Sequence, residues 1–465
     1  VLREYQKTGY LWLETLCQNG FGGILADDMG LGKTLQVIVF LYAHYIERQE
    51  THKNTLIVCP ASLVYNWERE IHHFAPELTV YTVAGNVEER KSVLEHHQKG
   101  AIFITSYDLL RRDIELYQQL TFAYQIIDEA QFIKNATTKA AKAVKQIASD
   151  FRIALTGTPV ENHLGELWSI FDYLMPGYLY SYKRFHVTFE IPIVQIDNPA
   201  ALERLQKLIA PFVLRRLKKD VLKDLPEKLE KNMFTPLTGE QEDLYRAHVQ
   251  RLEVLLSKQS QEEFNQSKIE ILAELTKLRQ LCCDPALLYE NYQAGSAKLD
   301  LCLELVQNAI SGGHKILIFS QFTTMLDGIA ERLKQENIPY YVLKGSTPKQ
   351  ERMQLVTAFN QDETPVFLIS LKAGGTGLNL TAADIVIHYD PWWNTAVQNQ
   401  ATDRAHRIGQ KNKVLVYRLI AQNTIEEKIL RLQEKKAQLA DQILDGETTK
   451  NPAFSREELL ALLQD

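Results

Sequence analysis

The chain has 465 residues, 45% hydrophobic and 24% charged, which is the balance of a globular protein with room for about three domains. Its formal net charge of -6 excludes a uniformly basic nucleic-acid-coating protein, so any polyanion must be met in a local groove. No apolar run is long enough to cross a bilayer, and no basic-then-apolar leader opens the chain. Val1 stands where a start methionine would, so a fragment or trimmed chain is expected. The cysteines Cys17, Cys59, Cys282, Cys283 and Cys302 form no C-x-x-C pair, which favours buried, reduced thiols over a metal or redox site.

In chain order, the first apolar run is Gly23 to Ala26. Further short runs are Leu56 to Cys59, Ala101 to Ile104, Gln125 to Asp128 and Arg152 to Leu155. Each is followed by polar or Gly-rich residues and then a helical pattern. Strands apolar on both faces and alternating with helices predict a parallel sheet covered on both sides. From about Tyr178 to Ala294 no strand series is evident. Charge-rich helical stretches, Glu240 to Leu256 and Lys268 to Leu281, suggest insertions and a connection. The basic segment Arg215 to Asp220 reads as a solvated helix face or a nucleic-acid contact. The strand series resumes at Ile316 to Phe319, Val366 to Ile369 and Ile385 to His388. Near the end, Ile425, Ile429, Leu432, Leu439 and Ile443 fall at helical spacing, and Ser455 with Glu458 forms a capping-box pattern.

The expected layout is therefore α/β. A first lobe covers 1–230, with a helical protrusion at about 178–211. A helical insertion and connection covers 231–297, a second lobe covers 298–424, and C-terminal helices that brace a lobe cover 425–465.

Between the first run and a following apolar helix lies Asp27-Asp28-Met29-Gly30-Leu31-Gly32-Lys33-Thr34. Strand, Gly-rich loop and helix is the order that cradles phosphates. Backbone N–H groups face the oxygens, and the helix N-terminus adds a favourable dipole. Lys33 would reach the β- and γ-phosphates, and Thr34 would ligate Mg2+. The general pattern has glycine where Asp27 stands, so the match is incomplete. A second motif, Asp128-Glu129-Ala130-Gln131, ends an apolar strand in the same lobe. A metal-bound nucleotide calls for one acid near the metal and one to orient the attacking water. Asp128 suits the first role and Glu129 the second.

Together these strings resemble the superfamily-two helicases with DEAD/DEAH-type boxes, and specifically the Swi/Snf-type DNA translocases, whose own phosphate loop dispenses with the first glycine. The resemblance runs in order from Leu2 to Gln410. It includes Leu2-Arg3-x-x-Gln6-x-x-Gly9, Cys59 to Leu63 with Asn66-Trp67, Thr105-Ser106-Tyr107, and Leu155 to Pro159. In the later half it includes Ile318 to Phe322, Ser370 to Leu380, Asp390 to Asn394 and, most specifically, Gln400 to Gln410. The departures are Gln131 for a common histidine, Thr395 for a usual proline and Asp28 for a common glutamate.

The resemblance implies two RecA-like lobes and ATP with Mg2+ as cofactors. It places Gln6 on the adenine and Asp28, Gly30, Gly32, Lys33, Thr34, Asp128, Gly375 and Gly377 around the nucleotide. Arg404 and Arg407 would act on the γ-phosphate from the second lobe, where a placed arginine is worth on the order of 10³ to 10⁵ in rate. DNA contacts would fall on Ser62, Ser106 and Tyr107 in the first lobe, and on Ser320, Gly345, Lys372 and Trp393 in the second. Such groups suit phosphates, so binding to double-stranded DNA would be sequence-independent and salt-sensitive. For Trp393 a packing role, and for Ser106 and Tyr107 a strand-end turn, are the competing readings.

The expected activity is a DNA-stimulated ATPase that translocates on duplex DNA and remodels protein–DNA complexes as a monomeric motor. A DNA-bound protein such as RNA polymerase is a possible target. A strand-separating DNA or RNA helicase and an ATP-gated protein-binding scaffold are the alternatives. A prokaryotic member would be cytoplasmic and nucleoid-associated, a eukaryotic one nuclear.

Overall fold

The computed structural model describes residues 2–47, 53–157, 164–194, 196, 198–222, 225–257, 268–374, 378–392, 395–407 and 409–431. The chain divides into two compact units, which separate between Asp224 and Leu225.

The first unit is built on a seven-stranded, all-parallel sheet. Its strands are β1 (Gly23–Leu25), β2 (Asn54–Cys59), β3 (Val80–Thr82), β4 (Ile102–Ser106), β5 (Phe122–Asp128), β6 (Ser149–Leu155) and β7 (Val213–Leu214), in the order β3-β4-β2-β5-β6-β1-β7. The central strands β1, β2 and β4 are buried along their whole length, as their double-sided apolar character predicts. Helices α1 (Glu4–Gln18), α2 (Lys33–Glu47) and α3 (Val64–Phe74) lie in the same unit. Residues 182–194 and 199–209 form helical pieces whose Phe185, Phe189, Leu202 and Leu205 join the same core.

The second unit carries a six-stranded parallel sheet. Its strands are β8 (Lys228–Pro236), β9 (Ile316–Ser320), β10 (Tyr340–Leu343), β11 (Val366–Ser370), β12 (Ile385–His388) and β13 (Val414–Gln422), in the order β10-β11-β9-β12-β13-β8. Alternate residues feed opposite faces. Ile316, Ile318, Val366 and Leu368 enter one core, while Leu317, Phe319, Phe367 and Ile369 enter the other. The helices Glu240–Ser257 and Lys268–Cys283 form a further core through Leu252, Leu256, Leu278 and Leu281, joined by Ile425 and Ile429.

Two expectations change. The stretch read as strand-free contains β7 and β8, and the expected lobe boundary at 230 falls inside β8, which belongs to the second sheet. An edge strand with half-buried Lys228 and exposed Glu230 and Lys231 lacks the apolar run that marks a central strand. The brace helix is helical over 425–431; its continuation and the Ser455 cap lie outside the described residues. Among the described residues the cysteines are thiols, four of them buried, and burial pushes the Cys302 thiol up to about 12. Among them, too, no helix is long and apolar enough to cross a membrane.

Candidate functional site

The phosphate loop leaves β1 and enters α2 at Lys33. Gly30 and Gly32 hold φ of 88° and 75°, a backbone region that glycine adopts without strain. A Cβ at Gly32 would stand 2.6 Å from Gln6 Nε2, so the loop is moulded closely over α1. Gln6 is buried. Its amide donates to Leu31 O at 3.2 Å and accepts from Arg3 N at 2.9 Å, and Tyr5 Oη donates to Leu31 O at 3.0 Å. The Lys33 ammonium turns into the loop, donating to Asp27 O at 2.5 Å. Thr34 follows it on the first turn of α2 and is half-buried.

Asp27, which breaks the general phosphate-loop pattern, is fully buried and has a specific partner. Arg216 Nε donates to Asp27 Oδ1 at 2.8 Å and Nη2 to Oδ2, a fork that only arginine provides. The same guanidinium donates to Tyr5 O and to Gln36 Oε1, and Gln36 Nε2 donates back to Asp27 at 3.2 Å. One side chain thus ties α1, the loop, α2 and β7's continuation together. Asp28 adds a second tie, its carboxylate accepting from Lys218 N at 2.9 Å. Within the basic segment the Arg216 side chain and the Lys218 backbone N–H face the phosphate loop, while Lys219 and Asp220 are exposed.

At the end of β5, Asp128 Oδ2 accepts from Trp67 Nε1 at 2.9 Å and Oδ1 from Glu129 N at 2.8 Å. Burial, with the Glu129 carboxylate beside it, raises the Asp128 pKa to about 7, against the pull of Trp67 and Lys33. Glu129 sits at φ 53°, left-handed for a residue with a side chain, which costs about 1–3 kcal/mol and recurs at functional sites. Gln131 Nε2 donates to Glu129 Oε2 at 2.6 Å, while its Oε1 accepts from Thr156 Oγ1 at 3.1 Å. A glutamine offers a donor and an acceptor at fixed positions, as a neutral histidine does. The link from the acidic motif to the Thr156-Gly157 segment therefore exists here despite the exchange.

The expected DNA residues divide. Ser62 is half-buried in the turn before α3, and Gly345 is exposed in the turn after β10. Ser106 and Tyr107 are buried, contrary to the DNA-contact expectation. Ser106 Oγ caps the next helix, accepting from Leu109 N, and Tyr107 Oη donates to Asp128 O at 2.8 Å. Ser320 is also buried, donating to Asp390 Oδ1 and accepting from Phe322 N. The two serines share a reason, since each hydroxyl at the end of a central strand accepts from an N–H of the following turn, whereas Tyr107 is held by the end of β5. Trp67, in the string that contains Ser62, is only 1% exposed. The Lys372 side chain, Gly375, Gly377 and Trp393 lie outside the described residues.

In the second unit Arg404 is buried and Arg407 is half-buried, with Nη1 donating to Leu378 O at 3.3 Å. Gln410 closes this string as a clamp. Its amide donates to Ala383 O and Ala405 O and accepts from Lys411 N and Asn412 N. Arg279, absent from the sequence-based candidates, donates to Gln321 Oε1 and Pro391 O beside Asp390. A charge on an insertion helix gives no local signal of such a role.

A glycine-shaped loop with an inward lysine, and a paired acid motif wired to the next strand, define the class: an ATP-hydrolysing core of helicase type. Comparison with known proteins gives the family. The SNF2-related domain matches residues 5–287, more than half of the chain, and the helicase conserved C-terminal domain matches 297–409. The chain belongs to the SNF2-related family. It is 41% identical over its whole length to a Mycoplasma pneumoniae protein named as an uncharacterized ATP-dependent helicase, covering 44% of that protein. It is 44% identical to the putative ATP-dependent helicase/translocase YwqA of Bacillus subtilis, over 99% of this chain and 51% of that one. The chain thus spans about half the length of the curated relatives it matches. The Sulfolobus solfataricus SWI2/SNF2 ATPase core, solved in complex with dsDNA, is 38% identical over 96% of this chain and 93% of that one, with a TM-score of 0.48.

Proposed function

We propose that the chain is the motor of an ATP-dependent double-stranded DNA translocase that remodels protein–DNA complexes. The observation that carries the hydrolytic part is the wired acid motif, Asp128, Glu129, Gln131 and Thr156 in one hydrogen-bonded series. The residues present fit a nucleotide with Mg2+. Gly30 and Gly32 hold the positive φ of a side-chain-free loop, and Thr34 and Asp128 offer the hard oxygen donors that Mg2+ takes. Bound Mg2+ would neutralise phosphate charge and hold Asp128 ionised. Lys33 would turn from the loop carbonyls to the phosphates, and Glu129, steadied by Gln131, would orient the attacking water. Arg404 and Arg407 would supply positive charge to the transferring phosphoryl group. Gly375 and Gly377 would border the nucleotide, and Ser62, Gly345, Lys372 and Trp393 would meet the DNA backbone.

Translocation is favoured over scaffolding because the site is equipped for turnover; the name borne by the Bacillus relative carries both helicase and translocase, so a strand-displacement assay separates those two readings. An RNA polymerase or another DNA-bound protein would be the object moved. The test is steady-state ATPase activity with duplex DNA, single-stranded DNA and RNA. Duplex should stimulate most; equal stimulation by RNA alone overturns the reading. Displacement of a strand from a forked duplex would favour the helicase alternative.

A further inference from the structure

Two segments expected to meet DNA each send one aromatic side chain inward, and both end on the same residue. Trp67 Nε1, one turn into α3, donates to Asp128 Oδ2 at 2.9 Å. Tyr107 Oη, at the end of β4, donates to Asp128 O at 2.8 Å. Both side chains are buried, 1% and 4% exposed. Packing alone needs only apolar area; here each ring also spends its single polar group on Asp128. Tyr107 further stacks on Phe132, centroids 5.1 Å apart and rings 5° from parallel, in the 3-10 turn that follows Glu129.

The geometry of the backbone makes this a connection. The turn at Pro60–Leu63 is closed by Leu63 N to Pro60 O at 2.8 Å and runs straight into α3. A rigid helix moves as a body, so a displaced turn displaces the indole. Tyr107 is directly bonded to Ser106, whose side chain fixes the start of the next helix. Strands β4, β2 and β5 are parallel neighbours, so both segments and Asp128 emerge at the carboxyl end of the sheet, where open parallel sheets bind ligands.

We propose that Trp67 is a positioning residue that carries duplex-DNA engagement of the Pro60–Leu63 turn to Asp128, with Tyr107 holding the main chain of the same residue, so that its carboxylate is aligned for the metal-bound phosphates. The proposal rests on the DNA-stimulated ATPase reading above. It makes DNA stimulation a property of two hydrogen bonds inside the first unit.

The experiment compares the full chain with Tyr107→Phe and Trp67→Phe. It measures ATPase kcat and KM with and without saturating duplex, duplex affinity by fluorescence anisotropy, and the Mg2+ dependence of binding a fluorescent ADP. Losing a hydrogen bond to this carboxylate residue should cut the duplex-stimulated kcat about ten-fold, with duplex Kd and the KM for ATP within about two-fold of wild type. Duplex should lower the Mg2+ needed for half-maximal ADP binding in the wild type and not in the variants. Wild-type stimulation in both variants overturns the proposal. So does lost stimulation with an equal loss of duplex affinity, which would make these residues plain DNA contacts. An equal fall in basal and stimulated rates, leaving their ratio intact, also overturns it. Tyr107→Phe removes one oxygen and keeps the packing, so it decides the matter should Trp67→Phe unfold. A wild-type chain with no duplex response instead refutes the functional reading itself.

Discussion

Arg216→Ala should destabilise the first unit more than any exposed-charge change. The guanidinium meets a fully buried carboxylate through two nitrogens, and it also serves Tyr5 O and Gln36 Oε1. Its removal leaves Asp27 buried without its cation, a loss of about 3–5 kcal/mol, and the 12% exposure of Arg216 favours the lower figure. For a unit the size of Val1–Asp224, about 3 kcal/mol corresponds to a melting point lower by roughly 6–12 °C. Calorimetry is the assay, read as the shift of the melting transition against the wild type. Adding Asp27→Asn removes the stranded charge, so the double variant should recover about 1–3 kcal/mol of the loss. A melting shift near zero, or strictly additive effects, would refute the reasoning.

Glu129→Gln should cut kcat by about 10²–10⁴-fold while nucleotide still binds, and Lys33→Ala should abolish turnover through lost phosphate contact; both are read by steady-state kinetics with nucleotide titration. Gln131→Leu, which cannot bridge Glu129 and Thr156, should lower kcat about ten-fold at similar KM, whereas Gln131→His should retain activity because imidazole can donate and accept. In the second unit Lys298 and Glu426 form a pair with both side chains fully buried, and burial pushes the Glu426 carboxyl up. Lys298→Met should cost about 3–5 kcal/mol in urea unfolding, and Lys298→Met with Glu426→Leu should restore most of it.

The parts of the fold legible in the sequence are those with one strong local signal. Runs such as Ile316 to Phe319 are apolar on both faces, and their alternate side chains do fill two separate cores. β3 and β10 lie at sheet edges, half-buried except for Leu343, and β8 opens with the charged residues Lys228, Glu230 and Lys231, so none reads as a central strand. The nucleotide loop and the acid pair were legible because their chemistry fixes residue type and spacing. The direction of a hydroxyl or an indole was not. Ser106, Tyr107, Ser320 and Trp67 turn inward because the adjoining backbone and Asp128 or Asp390 take up their polar groups. Nor was the meaning of Asp27 legible, since its partner Arg216 stands 189 positions away. A buried long-range ion pair leaves no periodic trace; only the fold brings its halves together.

The central claim, that ATP hydrolysis moves this chain along intact duplex DNA, is tested most directly by displacement of a third strand from a DNA triplex. The account predicts ATP-dependent release of the third strand by the wild type, none by Glu129→Gln, and a duplex left paired. Duplex-stimulated hydrolysis without release, or release accompanied by separation of the duplex strands, would contradict it.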